Sequence, residues 1–153
     1  MKKGVLYIVL LISSVGLFSG CIKNGTDRTI TPSMVATVGT TTFNAISVQP
    51  ATVKPQLNDS ATTLIITGYD NTTGDKLALS ITSFKGKEGT FSIVQGQAFG
   101  TYMHGGVTEL ATGGIVSVKD VLSSTIDGYF NFTTASGINI TNGTFTVGNP
   151  WNY

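Results

Sequence analysis

From Ile126 to Phe132 the chain alternates with a period of two. Ile126, Gly128, Phe130 and Phe132 occupy one set of positions, and Asp127, Tyr129 and Asn131 the other. That spacing gives a strand one apolar face, and it does not fit a helix, whose faces recur every 3.6 residues. A glycine on the apolar side lets a neighbouring ring or strand approach closely, or marks a bend. Leu77, Leu79 and Ile81 repeat the pattern, with Ala78, Ser80 and Thr82 opposite.

Similar short runs fill the chain from Met34 onward, each ended by turn residues. Gly39-Thr40-Thr41 separates Met34–Val38 from Thr42–Val48 and predicts a hairpin. Asp70-Asn71-Thr72-Thr73-Gly74-Asp75 joins Thr63–Tyr69 to Lys76–Phe84; Asn, Asp and Gly there tolerate positive φ or bond their own backbone. Gly105-Gly106 and Gly113-Gly114 read as breaks either side of Val107–Ala111. The stretch Gln49–Ala61 carries Pro50 and Pro55 and predicts a loop or an edge crossing. No helical period stands out. The expected fold is all-β, an antiparallel β-sandwich or partly closed barrel of about eight to nine strands.

The N-terminus follows a different plan. Lys2 and Lys3 precede an apolar run from Val5 to Phe18, and Phe18-Ser19-Gly20-Cys21 closes it. A positive start, an apolar centre and small residues at the cut make a secretory signal, expected as a helix over residues 1–20. The run is shorter than the roughly 20 apolar residues a membrane-spanning helix needs. Cys21 is the only cysteine. Its nucleophilic thiolate can accept a diacylglyceryl group, so it is the expected lipidation site, which leaves no thiol for a disulfide. Residues 21–33 then form a flexible tether on the order of 20 Å long, and residues 34–153 a single domain.

Cleavage after Gly20 leaves 133 residues with seven basic and eight acidic side chains, a net charge of −1. No basic patch is present to neutralise phosphates, so no nucleic-acid partner is expected. The chain has one histidine, His104, beside Gly105-Gly106. It fits a turn better than a Ser-His-Asp arrangement, and no Gly-x-Ser-x-Gly elbow is present. One histidine and a committed cysteine are too few ligands for zinc. The Asp70–Asp75 segment lacks the alternating acids and distal Glu of a calcium loop. Glu88, Glu109, Asp120 and Asp127 are scattered, and a glycosidase needs two carboxylates facing across a cleft. No catalytic residue, metal site or cofactor is therefore expected, and no enzyme. Most aromatics should be core; Trp151 and Tyr153 should pack on the domain, with an exposed sugar or peptide platform as the other possibility.

Several segments in order resemble a family of small Bacteroidota lipoproteins of unknown function. They are Met34-Val35-Ala36-Thr37-Val38 with Thr42-Phe43-Asn44-Ala45, Leu64-Ile65-Ile66-Thr67-Gly68, and Leu77-Ala78-Leu79-Ser80-Ile81. Gly89-Thr90-Phe91, Ile126-Asp127-Gly128-Tyr129-Phe130-Asn131-Phe132 and Ile140-Thr141-Asn142-Gly143-Thr144-Phe145 follow. The resemblance implies a β-fold envelope protein and carries over no catalytic residues. The expectation is a non-enzymatic binding or interaction module, lipid-anchored in the bacterial envelope at the outer membrane, with a glycan, peptide or protein partner. The alternatives are a lipocalin-like carrier, which needs a cavity lined by the Phe130 and Phe132 face, and a structural subunit of an envelope assembly.

Overall fold

The computed structural model describes residues 30–45, 47–53 and 62–151, with the side chains of 51–53 left aside. The expected signal helix, Cys21, most of the tether, Pro55 and Tyr153 lie outside the described residues.

Ten antiparallel strands form one nearly closed barrel. They are β1 Ser33–Val38, β2 Thr41–Ala45, β3 Ser47–Val53, β4 Thr62–Asp70, β5 Asp75–Phe84, β6 Gly89–Ser92, β7 Ala98–His104, β8 Val107–Val121, β9 Thr125–Thr134 and β10 Asn139–Gly148. The strand order is β2-β1-β10-β9-β8-β7-β5-β4-β3, with β6 beside β8. β2 and β3, the two ends of that order, are consecutive in the chain. This one segment therefore pairs with β1 in its first half and with β4 in its second. The expected strand Thr42–Val48 falls in two strands, β2 paired with β1 and β3 paired with β4.

The Asp70 carboxylate helps to close the seam. From the end of β4 its Oδ2 accepts the backbone N–H of Asn44 on β2 at 3.0 Å. No helix long and apolar enough to cross a membrane occurs among the described residues. The strands themselves alternate apolar inward and mostly polar outward, the reverse of a lipid-spanning barrel.

One expectation about breaks is corrected and one is resolved. Gly113-Gly114 does not end a strand: β8 runs through it for 15 residues. Its first half pairs with β7 and its second with β6, while β9 follows it on the other side, with a bulge between Ala111 and Gly113. The glycines mark a corner where the sheet turns, as strands that change sheet do. For the Pro50 stretch, expected as a loop or an edge crossing, the edge alternative holds up to Val53. There it is β3, paired on one side with β4 at Pro50↔Ile66, and an edge strand tolerates the missing N–H.

The interior is filled by the rows read from the sequence. Leu77, Leu79 and Ile81 from β5 meet Ile126, Phe130 and Phe132 from β9, with Met34, Leu64, Ile66, Ile140, Phe145 and Val147. Small barrels hold side chains rather than solvent, and alternating large with small residues fits the taper. Gly128 and Gly143 supply the small partners. A Cβ at Gly128 would strike the Phe145 ring and the Ser117 carbonyl, and one at Gly143 would lie 2.6 Å from the Phe130 ring. A left-handed Ser83 (φ 53°) adds one residue to β5, so Phe84 turns back into the core after Ile81. There Phe84 meets Phe91 edge-on, at 6.1 Å between ring centroids, and Trp151 at 5.4 Å. Trp151 therefore packs on the domain as expected.

Candidate functional site

Among the described residues three places could carry function: a polar cluster at one end of the barrel, an apolar outer face, and a groove beside the β8 corner. The end cluster is built by strand register. Lys76 on β5 pairs with Met103 on β7, so Asp75 lies beside His104 and near Tyr102. The Tyr102 hydroxyl donates to Asp75 Oδ2 at 2.8 Å. His104 Nδ1 meets Asp75 Oδ1 at 2.7 Å; a carboxylate only accepts, so the imidazole is the donor. The two rings stack with an interplanar angle of 17°. Asp75 is buried while the His104 ring is largely exposed. Burial, then the bond to Asp75, pushes the Tyr102 hydroxyl well above its ordinary range, because its ionised form would face a carboxylate in poor solvent.

His104 ends β7 at the Gly105-Gly106 turn, as expected, but it is also oriented by an acid 29 residues earlier. That supplies two parts of an acid–base relay. A triad also needs a hydroxyl or thiol on the other ring nitrogen, and among the described residues the only side-chain partner of His104 is Asp75.

The Asp70–Asp75 segment forms the β4–β5 hairpin turn. Asp70 Oδ1 accepts the N–H groups of Thr72 and Thr73, and Gly74 N–H closes on the Asp70 carbonyl. The bond from Asn44 outweighs burial and holds the Asp70 carboxyl below the usual carboxylate range.

Of the other acids, Asp120 and Asp127 are brought together and Glu88 and Glu109 stand apart. Glu88 is exposed. Glu109 accepts the side-chain hydroxyl and backbone N–H of Ser136, and chiefly that hydroxyl holds its carboxyl low. Asp120 and Asp127 are cross-strand partners on β8 and β9, and Thr146 donates to Asp127 at 2.6 Å. Among the described residues no cluster of three or more His, Cys, Asp or Glu could hold a metal ion.

The outer face of β4, β5, β7 and β8 is unusual in its side chains. Cross-strand rows place Tyr69 beside Lys76 and Met103, and Ala78 beside Thr101 and Leu110. Ile65, Ser80 and Phe99 form the third row. Tyr69, Phe99 and Leu110 are 40%, 48% and 64% exposed. Lys76 is the only charged side chain in these rows, and its ammonium sits 5.2 Å from the Tyr69 ring centroid. The sequence contained these residues but not their union, which depends on the registers of three strand pairs.

The groove, of about 170 Å³, crosses β8, β9 and β10 on a different outer face. It is lined by Gly113, Gly114, Asn131, Phe132, Thr133, Asn139, Ile140 and Thr141. Along the Phe130 and Phe132 face the described side chains are closely covered. Those side chains are 1% and 3% exposed, leaving no wall for a ligand to touch.

Comparison with protein-family models, with curated proteins and with solved structures gave no match. The resemblance to the Bacteroidota lipoproteins thus rests on the sequence segments alone.

Proposed function

We propose that this protein is a non-enzymatic structural subunit of a bacterial envelope assembly, lipid-anchored through Cys21 and docked to a protein partner by one outer barrel face. The apolar face around Tyr69, Phe99, Ala78 and Leu110 carries the reading. Large apolar side chains grouped on one surface of a soluble domain cost solvation unless something covers them, and such patches mark interaction sites. A paired sheet face also fixes these side chains rigidly, which lowers the entropy lost on docking. The membrane anchor agrees with this role. Two or three acyl chains at about 0.8 kcal/mol per buried methylene hold a protein firmly where one chain would not.

The carrier reading draws support from barrel closure, but the inward-facing Phe130 and Phe132 among the described residues are buried against their neighbours. That burial favours partners on the outside.

The test changes the face and not the fold. Phe99→Ser with Leu110→Lys alters exposed positions, so thermal stability should move by no more than about 0.5 kcal/mol per site. The complex extracted from membranes in mild detergent should fall to the size of the single chain. A complex of unchanged size would end this reading.

A further inference from the structure

We propose that the groove beside the β8 corner binds one ring of a neutral saccharide. It lies on a different face from the apolar patch and does not depend on the proposed assembly role.

Two irregularities make the groove. A bulge in the β8–β9 pairing between Ala111 and Gly113 and another in the β9–β10 pairing between Ile140 and Gly143 pull the ladders out of step. Gly113 and Gly114 contribute no side chains, so the β8 rim is low. A Cβ at Gly113 would meet only Val94, at 3.8 Å, so space remains above it. Asn131 and Thr133 from the middle strand β9, and Asn139 and Thr141 from β10, complete the lining.

The lining selects the ligand class. It contains two carboxamides and two hydroxyls, with the buried Phe132 and Ile140 between the strands and no charged side chain. An anion would lack a cation here, and a metal ion would lack carboxylates. An extended peptide adding as a strand would need an unpaired edge, but β8, β9 and β10 are each paired on both sides. What remains is a neutral molecule dense in groups that both donate and accept, which describes vicinal hydroxyls. Carboxamides answer such pairs with one acceptor and two donors. Thr133 Oγ1 donates to Asn139 Oδ1 at 2.8 Å, so the Asn139 oxygen is engaged and its N–H groups are left for a ligand. That bond also fixes the amide before binding.

Size and a nearby ring agree. The volume equals that of roughly five or six waters, which suits a single pyranose ring. Tyr129 lies two residues before Asn131 on the same outward face, about 7 Å away along β9, and is 45% exposed. Its ring offers an apolar plate for the C–H face of a neighbouring sugar unit.

The test uses the full mature protein in detergent, titrated with neutral hexasaccharides of glucose, mannose and galactose, and with hexagalacturonate as an acidic control. Backbone amide shifts report the site. At least one neutral sugar should move the amides of Gly113, Asn131, Asn139 and Thr141 with saturable binding, and the acidic control should not. Asn131→Ala and Asn139→Ala should each weaken binding about tenfold, the effect of one or two lost hydrogen bonds. Gly113→Val, which raises the low rim in a strand where a β-branched residue is compatible, should abolish it with the melting temperature preserved. The proposal is overturned if no neutral sugar shifts these amides at about ten times a millimolar dissociation constant. Shifts that map elsewhere, or equal binding by the acidic sugar, overturn it too.

Discussion

Replacing Asp70 with alanine tests how the barrel closes. One carboxylate serves two structures: Oδ2 takes the Asn44 N–H across the β2–β4 seam at 3.0 Å, and Oδ1 takes Thr72 N–H in the hairpin turn at 2.9 Å. The Thr73 contact, at 3.4 Å, is too long to count for much. Hydrogen bonds to a charged group contribute about 1.5–3 kcal/mol each when well formed. The turn is open to water and can replace its bond partly, so the total is set at about 2–4 kcal/mol. At about 4 °C per kcal/mol for a domain of this size, the melting temperature should fall by roughly 8–16 °C. Hydrogen exchange should speed up first at the Asn44 amide.

The sign with pH follows from the lowered carboxyl. Its stabilising effect is present above the unfolded value of 3.8 and is lost as pH falls through the lower folded value. The gap between wild type and Asp70→Ala should therefore be full at neutral pH and narrow only below 3.8. A gap under about 1 kcal/mol at pH 7, or one that persists undiminished in strong acid, would refute the seam assignment.

Three other perturbations probe separate parts of the account. Gly128→Ala drives a methyl into the Phe145 ring and the Ser117 carbonyl, and should cost about 1–3 kcal/mol by urea unfolding; no loss would mean the core is looser than described. Tyr102→Phe removes a buried bond to Asp75 and should cost about 1–2 kcal/mol. Because the Tyr102 hydroxyl is raised from 10.0, folding stability should fall as pH rises above that value, and this loss should shrink in the variant. Cys21→Ala should release the protein from membranes or leave its precursor uncut; a shortened, lipid-free chain that still fractionates with membranes would contradict the anchor.

Local patterns were legible in the sequence because they follow from nearest neighbours. The rows Leu77-Leu79-Ile81 and Ile126-Phe130-Phe132 point inward, Gly128 admits a ring, and Asp70 to Gly74 turn the chain. Features set by distant pairing were not. Gly113-Gly114 has the composition of a break, yet β9 holds the strand continuous through it. Pro50 leaves a loop and an edge crossing equally open until the strand order makes β3 an edge. Asp75, Tyr102 and His104 meet only because β5 and β7 are neighbours although β6 intervenes in the chain. The apolar face and the groove depend likewise on register and on bulges, which leave no local mark except glycine and Asn142 in the left-handed region.

The most direct measurement of the proposed role is photocrosslinking in intact cells. A photoreactive phenylalanine analogue at position 99 samples the apolar face, and one at position 144 samples the opposite outer surface. One discrete protein adduct is expected from position 99, absent from position 144 and lost when Leu110→Lys is added. No adduct from position 99, or the same adducts from both positions, would contradict that role.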